Sequence, residues 1–65
     1  MKYNRIEVLE KLLQENIDAF NKGLSDGKVT HPNIGSKLSS SVDRYYEYLE
    51  NIEFLQNRIL NLKQL

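Results

Sequence analysis

The chain has 65 residues, nine basic and nine acidic side chains, one histidine, one proline, and no cysteine or tryptophan. So short a chain makes one domain at most and buries only about 60% of the surface its unfolded form exposes, so its stability is marginal. Lack of cysteine excludes a disulfide framework and a thiolate zinc site, and a formal net charge of zero supplies no overall field for nucleic acid or anionic lipid.

No apolar run approaches the roughly 20 residues of a membrane span, and the polar start Met1-Lys2-Tyr3-Asn4-Arg5 does not look like a signal peptide. The expectation is a small soluble protein of the cytoplasm, with neither nucleic acid nor membrane among its partners.

Ile6, Leu9, Leu13, Ile17, Phe20 and Leu24 recur at intervals of three and four. At 100° per residue they fall in a stripe less than about 90° wide, which predicts an amphipathic helix over about residues 4–22. Glu7/Lys11 and Asp18/Lys22 are spaced i,i+4 with the acid first, the favourable order on an exposed helix face. Asn4 is a candidate N-cap, and Gly23 a natural stop after Lys22.

From Gly23 to Gly35 the period breaks, and two further glycines, Pro32 and short polar side chains predict a loop over about residues 23–35. Thr30 or His31 can cap a helix with Pro32 at its first position, or Ser36 can cap a later start. In the second helix, expected over about residues 36–63, Leu38, Val42, Tyr45, Leu49 and Ile52 are spaced 4-3-4-3. The seam then slides to Leu55, Ile59 and Leu62, a heptad-like spacing.

Neither stripe can bury itself alone. The expected fold is therefore all-α: one domain over residues 1–65, an antiparallel two-helix hairpin with the second helix longer, able to pair into a dimeric four-helix arrangement. The second helix would measure about 43 Å against about 30 Å for the first, so that roughly eight residues overhang. Leu55, Ile59 and Leu62 are the candidates for a dimer or partner interface, and Val8 with Leu12 adds an apolar edge on the first helix.

Signatures of enzymes are sparse. The three glycines are too scattered for a phosphate loop, and His31 has no histidine or cysteine neighbour for a metal site, so no metal and no cofactor of its own is expected. His31 beside Pro32 reads as a turn or cap residue. Ser39, Ser40 and Ser41 have no basic partner for nucleophilic work and suit a helix start.

On a helical wheel Ser39, Asp43, Glu47, Glu50 and Phe54 share an arc of about 80° opposite the seam. A solvated acidic face near a helix N-terminus accounts for the carboxylates, which the macrodipole favours there. It accounts less well for the ring of Phe54.

Leu38-Ser39-Ser40-Ser41-Val42-Asp43, at the start of the second helix of a short hairpin, resembles the signature Ser-Gln-Glu-Leu-Asp of the stage-zero sporulation regulator E family. Its members are very small aspartyl-phosphate phosphatases that act on phosphorylated response regulators in sporulation and two-component signalling. Ser39 and Asp43 match the signature's serine and aspartate, Val42 replaces its leucine, and Tyr48 stands for a later aromatic. Ser40 and Ser41 occupy the places of the usual glutamine and glutamate, and the loop is longer than is typical. The similarity covers about residues 5–55.

The resemblance implies that Asp43 is the catalytic group and orients the hydrolytic water. Ser39, Glu47, Glu50 and Phe54 would meet the receiver domain, which supplies the magnesium ion and a lysine. Replacement of the glutamate by Ser41 removes an acid near the site. The alternative is a non-catalytic helical hairpin that dimerises or sequesters a partner helix through Leu55, Ile59 and Leu62.

Overall fold

The computed structural model describes residues 4–34 and 39–64, and these form two helices, α1 (Arg5–Asp26) and α2 (Ser40–Lys63). Among the described residues there is no strand, and no helix is long and apolar enough to cross a membrane. Asn4 caps α1: its side chain accepts the backbone N–H of Ile6 at 3.1 Å and of Glu7 at 3.3 Å, satisfying two otherwise unpaired donors of the first turn.

The helices run antiparallel. Phe20 packs on Tyr45 and Tyr48 near the loop, with ring centroids 5.4 and 5.8 Å apart, while Lys63 reaches Glu10 at 3.5 Å near the open end. Leu9, Leu13, Ile17 and Phe20 line the seam from α1, facing Leu49, Ile52, Leu55 and Ile59 of α2. Among the described residues only Val29, Val42, Leu55 and Ile59 are buried hydrophobics, so their core is one seam wide. The Glu7/Lys11 and Asp18/Lys22 pairs do not close: Asp18 accepts instead from the Gln14 amide at 2.9 Å, and Lys63–Glu10 is the one ion pair among the described residues.

Three boundaries differ from the sequence expectation. First, α1 does not stop at Gly23 but continues one more turn to Asp26 and ends at Gly27, which takes the left-handed conformation with φ 78°. The amides of Gly27, Lys28 (2.9 Å) and Val29 (3.0 Å) all donate to the carbonyl of Gly23. Gly23 thus stays inside the helix, and lacking a side chain it leaves room for Val29 to fold back onto it.

Second, α2 starts at Ser40 with Ser39 as its cap, not at residue 36; the candidates Ser36 and Leu38 lie outside the described residues, and neither Thr30 nor His31 caps a helix among the described residues. His31 makes a turn instead, accepting the Asn33 N–H on Nδ1 at 3.0 Å and the Ile34 N–H on its carbonyl at 2.9 Å. Third, the extra turn of α1 and the later start of α2 nearly equalise the helices at 22 and 24 residues. The second helix is longer by two residues only, and the expected overhang of about eight residues does not exist.

Candidate functional site

Ser39 has extended backbone (φ −78°, ψ 147°), and its hydroxyl accepts the Val42 N–H at 3.2 Å while its carbonyl accepts the Asp43 N–H at 3.2 Å. A contact of 3.2 Å between the Ser39 and Ser41 hydroxyls adds to this start. The loop is tied to the same turn, because Thr30 donates its N–H to the Ser41 carbonyl at 3.1 Å and the His31 ring meets Tyr45 edge-on at 4.9 Å. Val42, 1% exposed, is the most deeply buried of the described side chains and anchors the turn from beneath. Asp43 is therefore carried by a helix turn pinned at its cap, its core residue and its loop contact.

Its carboxylate is exposed, in the first turn where the helix dipole favours a negative group. Glu47 and Glu50 follow on the same outer edge, both exposed, and Phe54 stands among them at 64% exposure. Ser39 is half-buried, its hydroxyl already engaged as the cap. Beside this edge Arg44, Glu47, Tyr48 and Asn51 line a shallow groove, in which Arg44 is the single cation. Among the described residues no three histidine or acidic side chains come together in a way that could hold a metal ion.

The arrangement can present hydrogen-bond acceptors, with an aromatic ring next to them, to a concave partner surface. Among the described residues it has no nucleophile–base pair.

The interface candidates separate. Leu55 and Ile59 are 8% and 7% exposed and belong to the hairpin's own seam, and Leu62 is half-buried at its end. Val8, Leu12, Leu24, Tyr46 and Leu60 are the helical side chains left apolar and exposed besides Phe54. Val29 was missed by periodicity because it lies in the loop, outside either stripe. A valine two residues past a helix-capping glycine is the only sequence signal for it. Comparison with protein-family models, with curated proteins and with solved structures gives no match for this chain.

Proposed function

We propose that this protein is an aspartyl-phosphate phosphatase acting on a phosphorylated response-regulator receiver domain of the sporulation phosphorelay type. The observation that supports this reading is the placement of Asp43: an exposed carboxylate on a pinned first helix turn, at the edge that also bears Glu47, Glu50 and Phe54.

An aspartyl phosphate is activated by its own receiver, where magnesium and a lysine neutralise the phosphoryl oxygens. What remains is to hold a water in line with the acyl–phosphate bond. Asp43 accepts a hydrogen bond from that water, whose oxygen attacks phosphorus while the P–O bond to the receiver's aspartate breaks. The aspartate leaves as carboxylate, and the water's proton passes through Asp43 to solvent. Phe54 is suited to anchor the docked edge, and Glu47 and Glu50 to set its orientation.

A second reading, a non-catalytic hairpin that binds a partner protein, is favoured by the exposed Val8, Leu12 and Leu60. Both readings include pairing into a four-helix arrangement, because a single layer covers each helix on one side only.

Incubation with phosphorylated receiver domains of the host, following loss of phosphate, separates the readings. The phosphatase reading expects faster dephosphorylation, and Asp43→Ala should lower the acceleration by about 10²-fold or more while the helical circular dichroism stays unchanged. Phosphate lifetimes unaltered by a large excess of the protein across all those receivers would refute it.

A further inference from the structure

Three of the nine basic side chains meet at the loop end of the hairpin, each from a different segment. Lys22 of α1, Lys28 of the loop and Arg44 of α2 line a groove of about 230 Å³ together with Gly23, Asp26 and Tyr48. Ion pairing does not account for them: among the described residues the one ion pair, Lys63–Glu10, lies at the opposite end. Three cations and one carboxylate leave the groove a formal charge of +2, on a chain whose net charge is zero. A cleft in which one sign of charge prevails concentrates ions of the other sign.

The backbones that carry these cations are fixed relative to one another. The Lys28 N–H donates to the Gly23 carbonyl at 2.9 Å, and the next residue, Val29, is 3% exposed and folds back onto Gly23. Arg44 follows Asp43 on the turn held by the Ser39 cap and the Thr30–Ser41 bond. Tyr48 is half-buried against Phe20. A ligand has only the exposed side chains of Lys22, Lys28 and Arg44 left to order, which lowers the cost of binding.

The geometry points to a binding site for a phosphate monoester. Such a group carries about −1.5 to −2 charges at pH 7 and several strong acceptor oxygens, the complement of a +2 groove. Arg44 offers a planar fork of donors and the two lysines offer ammonium groups, the charge-assisted donors that hold phosphate best. A carboxylate ligand would bring half the charge. The volume lies below the roughly 300 Å³ at which drug-sized pockets begin, so the ligand group is small. Past Arg44 and Tyr48 the hollow continues to Glu47 and Asn51, whose side-chain oxygens can accept from a hydroxyl or amine on the ester's tail. Phosphorylated hydroxy amino acids and amino alcohols have this chemistry, free or within a protein. Asp43 lines neither part of the groove, so the site stands whether or not Asp43 is catalytic.

Nuclear magnetic resonance titration of the isotope-labelled full chain with O-phospho-L-serine tests this, at constant ionic strength so that screening is not read as binding. The amides of Lys22, Lys28 and Arg44 should shift saturably, and unphosphorylated L-serine should shift none of them. Arg44→Gln and Lys28→Gln, both at exposed positions, should each weaken binding about fivefold or more with unchanged helical circular dichroism, whereas Arg58→Gln, far along α2, should not. A second arm presents phosphoserine within a short peptide. Tighter binding of the free ester assigns the site to a small molecule, and tighter binding of the peptide to a phosphorylated protein. Shifts that fail to saturate in both arms, or binding as sensitive to Arg58→Gln as to Arg44→Gln, would overturn the proposal.

Discussion

Gly23→Ala is the sharpest probe of how this hairpin closes. In an isolated helix the change stabilises by about 1 kcal/mol, since alanine loses less backbone entropy than glycine. Here a Cβ on Gly23 would sit 2.5 Å from Val29 Cγ2, closer than carbon atoms approach, and 3.2 Å from Val29 Cβ, a tight contact. Val29 cannot simply withdraw, because it is 3% exposed and its N–H is bonded to the Gly23 carbonyl at 3.0 Å. Forcing a methyl into a packed site costs about 1–3 kcal/mol, so the net change should be destabilising by about 1 kcal/mol.

A 1 kcal/mol loss corresponds to a fall in Tm of about 4–8 °C in a domain of this size. Urea melts followed by circular dichroism at 222 nm, at one fixed protein concentration, would measure it. Val29→Ala alone should cost about 1.6 kcal/mol for two buried carbons. The double variant should be more stable than the sum of the single changes implies, by about 1 kcal/mol or more, because the 2.5 Å neighbour is gone. If Gly23→Ala stabilises the protein by its helix-propensity gain and the cycle shows no coupling, the packing account of Gly23 is wrong.

Two further substitutions test the remaining ends of the helices. Ser39→Ala should cost about 1 kcal/mol in the same melts by leaving the Val42 N–H without its acceptor, while Ser39→Asp, which keeps an acceptor, should cost far less. Gly27→Ala should also destabilise by about 1 kcal/mol, but from the backbone alone: φ is 78° and nothing lies within 4 Å of an added Cβ, so no partner substitution should rescue it.

The all-helical hairpin, the Asn4 cap and the loop between the helices are legible in the amino-acid sequence, because each rests on local chemistry. Apolar spacing of three and four dictates which face of a helix is buried, and a short polar side chain before an apolar stripe can accept the amides of the first turn. The outward stripe of Asp43, Glu47, Glu50 and Phe54 follows from the same arithmetic once the opposite side is the seam, and these four residues are exposed in the structure. The cap of α2 was legible only as one of several serines. Choosing Ser39 needs the Thr30–Ser41 bond that ties the loop to that turn.

What local chemistry could not decide is which glycine ends α1. Gly23 and Gly27 look alike as symbols, and the first reads as the stop because lysine precedes it. Tertiary structure reverses the choice: Val29 needs the side-chain-free surface of Gly23, and Gly27 alone takes the positive φ that turns the chain. That turn and the later start of α2 at Ser40 bring the helices to nearly equal length, and Leu55 and Ile59 are spent on the hairpin's own seam. Periodicity along each helix therefore determined what is apolar and on which side. Register between the helices, a property of two segments in contact, determined how much of that apolar surface remains for anything else.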